Sequence, residues 1–140
     1  MKFFVGLVIS FLVGNFVRVE AQTPAASATI AWEKNIHDFG DILQGEKVEH
    51  TFKFVNTGTE PLVITNVQVT CGCTTPKGWP RDPINQGEKA EIIVQFNSAG
   101  KIGRQNKVVT VVSNAIGGNS QITFSANVLE KKINEKKAIN

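Results

Sequence analysis

The sequence predicts an all-β fold, and three observations carry that expectation. Short runs rich in β-branched and aromatic residues follow one another from Ala28 to Leu129. Apolar and polar residues alternate within these runs, and Gly, Pro and Asn signals separate them. No stretch shows the sustained 3.6-residue apolar stripe of an amphipathic helix.

The clearest element is Glu46 to Asn56, where Val48, His50, Phe52 and Phe54 share one parity and Glu49, Thr51 and Lys53 the other. A period of two over that length marks a half-buried strand. Asn56-Thr57-Gly58-Thr59-Glu60 follows as a turn, with Gly58 free to take a positive φ. From Pro61 to Thr70 the parity changes midway, from Leu62 and Ile64 to Val67 and Val69, so a bulge or bend is expected near Thr65-Asn66. Gly72 to Gly87, with Pro76, Trp79, Pro80 and Pro83, reads as a crossing between sheets. Ala90 to Phe96 alternates again, Val108 to Val112 is a nearly continuous apolar run suited to a central strand, and Ile122, Phe124, Ala126 and Val128 share a face. Adding Ala28–Glu33 and Ile36–Phe39 gives about seven strands. In about 100 residues this predicts an immunoglobulin-like antiparallel β-sandwich. Two antibody hallmarks are missing: there is no tyrosine for a tyrosine corner, and two cysteines only two positions apart cannot pin sheet to sheet.

The ends read differently. Residues 1–21 carry Lys2, an apolar stretch from Phe3 to Val17 and small-residue Ala21 before Gln22, the pattern of a signal peptide. Gly6, Ser10, Gly14 and Asn15 break the stretch, which is too short for a stable transmembrane helix of about 20 apolar residues. The expected organisation is a signal peptide over 1–21, a linker over 22–27, the sandwich over 28–129 and a charged flexible tail over 130–140. An exported product, periplasmic or secreted, without stable membrane insertion follows. Residues 22–129 carry nine basic and nine acidic side chains, so the overall excess of +3 sits in the termini. The body lacks a basic stripe with interleaved aromatics, which argues against a nucleic-acid partner.

Phe39-Gly40-Asp41-Ile42, Gly45-Glu46, His50-Thr51-Phe52-Lys53-Phe54, Asn56-Thr57-Gly58, Pro61-Leu62 and Cys71-Gly72-Cys73-Thr74, then Pro76, Trp79 and Gly87 before Ile92-Val94-Phe96, form a recognisable series. It resembles the bacterial domain-of-unknown-function family 1573, itself similar in architecture to major sperm protein and Hydin-type modules. The likeness spans roughly Trp32 to Val128. It implies an exported β-sandwich with no assigned reaction and supplies no catalytic residues.

Cys71 and Cys73 continue the parity of Val67 and Val69. In an unbroken strand their Cα atoms would stand about 7 Å apart, at the edge of disulfide range, and Gly72 can bend the chain to close the gap. Three readings stay open. A disulfide or structural thiol pair fits an oxidising compartment, though so short a loop constrains the unfolded chain little. A redox role suits a tight, reducible ring, against the absence of a helix to lower a thiol pKa. A soft-metal site for copper or zinc would recruit His50 or His37 beside the two sulfurs. Otherwise His50 reads as a hydrogen-bonded histidine at the core edge and His37 as a surface residue.

Trp79 reads as a lid over an end of the sandwich or over the cysteine pair, with a sugar-binding platform as the alternative. Trp32 belongs to an edge-strand core, and Asp38 and Asp41 flank turns. The chain lacks nucleophile–base logic, a phosphate-cradling glycine loop and a dinucleotide fingerprint. The functional expectation is therefore a non-enzymatic exported binding or structural module, without cofactor, presenting loops or an edge strand to an unknown envelope or extracellular protein. The competing expectation is a thiol redox or copper- or zinc-handling protein centred on Cys71 and Cys73.

Overall fold

A computed structural model describes residues 17–22 and 25–132. Most of the expected signal peptide and the tail beyond Lys132 lie outside the described residues. Eight strands run in chain order: β1 Ile30–Trp32, β2 Ile36–Leu43, β3 Lys47–Asn56, β4 Ile64–Val69, β5 Thr74–Gly78, β6 Lys89–Asn97, β7 Gly103–Ser113 and β8 Ser120–Leu129. They form two four-stranded sheets, β1-β3-β6-β5 and β2-β8-β7-β4. The described residues contain no helix.

The alternation read from the sequence becomes the core. Phe52, Phe54, Ile92, Val94 and Phe96 face inward from the first sheet, and Val109, Val111, Ile122, Phe124, Ala126 and Val128 from the second. Phe96 and Phe124 meet across the layers with ring centroids 5.5 Å apart. Each fully buried aliphatic or aromatic side chain contributes about 1.5–3 kcal/mol of transfer free energy. Trp32 ties the sheets at one margin: its ring lies 4.9 Å from Phe54, and its indole N–H donates to Ser120 Oγ at 2.7 Å.

The expected break in parity is present, since the β4–β7 register shifts between Ile64 and Asn66. Thr65 is the bulged residue, and Ile64 and Val67 thereby both face the core.

The structure adjusts three expectations. The pairing is not wholly antiparallel, because β2 runs parallel to β8, with a bulge between Asp38 and Asp41 where Gly40 takes φ +71°. There are eight strands: Thr74–Gly78 is a strand of the first sheet paired with β6, inside the passage read as a crossing. The crossing itself takes only Thr70 to Cys73. Gly58 does not have positive φ. It is needed for space, because a Cβ there would collide with the backbone of Ser27, Ala28 and Thr29.

Candidate functional site

The corner between β4 and β5 holds the cysteines. The run read from Pro61 to Thr70 ends as a strand at Val69, and a turn closed by Thr74 N–H donating to Cys71 C=O at 3.2 Å brings the chain into the other sheet. Turning shortens the Cα separation of Cys71 and Cys73 to 5.3 Å, and the two sulfurs are joined. That separation lies within the range a disulfide spans. Cys73 also packs against the core, and its C=O accepts from Asn97 N–H at 2.8 Å.

The histidines lie elsewhere. His50 pairs with Val94 in the middle of β3, with β6 between it and β5, which the cysteine corner precedes. Its ring stacks on His37 of the opposite sheet, centroids 3.6 Å apart and planes 9° apart. Phe52 and Phe39 approach these rings edge-on. His37 is thus half-buried in an aromatic seam, not the surface residue expected, because β2 continues past Phe39 and holds it against β3. Both imidazoles are held below the ordinary histidine value. For His37 the cause is burial first, opposed by Asp38 and reinforced by Lys34. For His50 it is burial, then the neighbouring His37. The set Cys71, Cys73 and His50 is not brought together, and no group of three or more His, Cys, Asp or Glu among the described residues is placed to hold a metal ion.

Asp38 and Asp41 serve the bulge in β2. Asp38 accepts from Gly40 N–H at 2.8 Å and pairs with Arg104 at 3.1 Å, which hold its carboxyl below the usual range. Asp41 accepts from Asn127 at 2.8 Å.

Trp79 follows β5 at its far end, away from the cysteine corner. It is half-buried and packs against the core. The Arg81 guanidinium lies 3.7 Å from its ring centroid, a cation–π contact. Its indole nitrogen is buried without an acceptor, alone in this among the described side chains. Between this loop and β6 opens a cleft of about 450 Å³, lined by Trp79, Pro80, Arg81, Pro83, Lys89 and Glu91 among others. Ile84 holds the cleft open from behind. It is buried and exchanges two backbone hydrogen bonds with Leu62, both 2.8 Å, which draws the loop away from β6.

Asn56 secures that anchorage, and sequence reasoning passed over it as a turn residue. Fully buried, it accepts from Thr29 N–H at 3.2 Å and Gly58 N–H at 2.9 Å. It donates to Glu60 C=O at 2.8 Å and Ile84 C=O at 2.9 Å. Its position after Phe52 and Phe54 on their inward parity was the available signal.

Comparison with known proteins accords with this architecture. A protein of unknown function from Porphyromonas gingivalis W83 is 17% identical, with a TM-score of 0.64 over 79% of this chain and 51% of that one. The ASH/PapD-like domain 7 of human CEP192 is 13% identical, with a TM-score of 0.59 over 91% of this chain and all of that one. The Vibrio cholerae protease VesB is 14% identical, with a TM-score of 0.55 over 73% of this chain and 31% of its own. The chain spans about half the length of the Porphyromonas protein and about a third of VesB. At such identities the likeness shows the fold alone. No curated protein matches. The family described as a protein of unknown function, DUF1573, matches residues 30–128; with its two sheets folded as an immunoglobulin-like sandwich, the chain belongs to that family.

Proposed function

We propose that this domain is a non-enzymatic binding module, exported to the periplasm or beyond, whose partner is another envelope or extracellular protein. The observation that carries the reading is the cleft beside Trp79, held open by the Ile84–Leu62 pairing and walled by aromatic, proline and charged side chains. Aromatic and arginine side chains in a preformed concavity are the usual anchors of protein recognition.

The outer strands favour this cleft over pairing along a whole edge. β1 is three residues long, β2 and β4 carry bulges, and β5 contains Pro76 and the exposed Lys77. Each device blunts an edge against strand addition.

Cross-linking in intact producing cells tests the reading, with the wild type compared with the Cys71→Ser/Cys73→Ser double variant. Both should yield the same discrete protein adduct. If neither forms an adduct, the module reading fails. If the adduct disappears with the cysteines while circular dichroism shows an intact fold, the thiols are the functional centre.

A further inference from the structure

We infer that the cleft beside Trp79 takes an extended polypeptide segment, which adds to the free edge of β6 at Lys89 and Glu91 and continues the ladder that β5 leaves unfinished. The inference rests on the binding-module reading and names its ligand class.

The β5–β6 ladder runs from Thr74 opposite Phe96 to Gly78 opposite Ile93 and stops there. On its other side β6 pairs with β3 without a break from Asn97 to Lys89. The last four residues of β6 toward its start, Lys89 to Ile92, therefore have a strand on one side only.

Two hydrogen bonds fix which backbone groups face which side. Asn97 N–H donates to Cys73 C=O on the β5 side, and Glu88 C=O accepts from Asn56 N–H on the β3 side. Backbone groups alternate in direction along a strand, and the β3–β6 register is unshifted. Odd-numbered residues of β6 thus address the β5 side. Lys89 and Glu91 aim their N–H and C=O groups there, into the cleft that both residues line.

Pro80 explains why the chain's own β5 does not continue. It has no N–H to donate, and Ile84 draws the following loop away to Leu62. This stretch of β6 carries neither bulge nor proline, unlike the edges described above. The opposite wall offers Trp79, Pro80 and Pro83 to side chains of the entering segment. Trp79 presents its ring there with the Arg81 guanidinium stacked on it, a planar platform for such side chains. Backbone hydrogen bonds then supply affinity, and the wall supplies side-chain preference.

The probe is a displayed library of random twelve-residue peptides, selected on the full mature chain, with the enriched peptide then synthesised. Three results are expected. Binding slows amide exchange at Lys89 and Glu91. Trp79→Ala weakens binding at least tenfold with the fold retained. N-methylation of the peptide, one residue at a time, abolishes binding at every second position, since only alternate peptide amides face β6. This last readout does not depend on the folding of any variant. Failure to enrich a peptide, binding that leaves both amides unchanged, or indifference to N-methylation would each overturn the inference. If these fail while the cellular adduct persists, the edge assignment is wrong and the module reading stands; if the adduct is also absent, both fall.

Discussion

Asn56 carries a structural burden that its turn-like neighbourhood conceals. Four hydrogen bonds converge on one buried amide, from the β1 approach, the β3–β4 turn and the loop that holds the cleft open. Replacing it with alanine strands the Thr29 and Gly58 N–H groups and the Glu60 C=O, while Ile84 C=O keeps only Leu62 N–H. At about 1 kcal/mol per bond, Asn56→Ala should cost on the order of 3–4 kcal/mol in urea unfolding. Gly58→Ala should cost about 2–3 kcal/mol, because its methyl meets backbone that cannot rotate away. The histidine stack gives a pH prediction with a definite sign. Both imidazoles have folded pKa values below their unfolded ones, so the unfolded chain binds more protons as pH falls. Urea midpoints should therefore drop as pH is lowered through about 6.5 and below, and His37→Gln/His50→Gln should flatten that decline. An unchanged midpoint in the wild type between pH 7.5 and 5 would contradict the burial of the stack.

Among the elements, legibility in the sequence followed burial. β3, β6 and β8 could be read because one face of each is core and the other is solvated, so composition alternates with the pleat. β5 could not. Only Thr74 of its five residues is buried, and Pro76 and Gly78 speak for a loop. An edge position tolerates that proline, but edge status is a property of the assembled sheet. The first half of β7, Gly103 to Lys107, escaped for a similar reason: it carries no apolar alternation, and its partner β8 alone holds it in register. The cysteine corner was legible both as chemistry and in the bend at Gly72 that closes the gap to 5.3 Å; only the strand end differs, at Val69 and not Thr70. A bridge across so short a loop removes little entropy from the unfolded chain. Cys71→Ser/Cys73→Ser should lower stability by less than about 2 kcal/mol, as read by thermal unfolding with and without reductant.

At the scale of the whole molecule, the outer strands of the sandwich are short, bulged or proline-bearing, and the start of β6 is left open beside Trp79. The loop from Trp79 to Glu88 creates that opening by leaving β6 for Leu62. The sequence showed the tryptophan but not the opening, which depends on where β5 stops and where Ile84 is anchored. The most direct measurement places a photo-activatable amino acid at position 82, at the rim of the cleft, or at position 110, on β7 of the other sheet, in cells that make the protein. The account predicts a discrete protein adduct from position 82 and none from position 110. Equal labelling from both positions, or none from position 82, would contradict it.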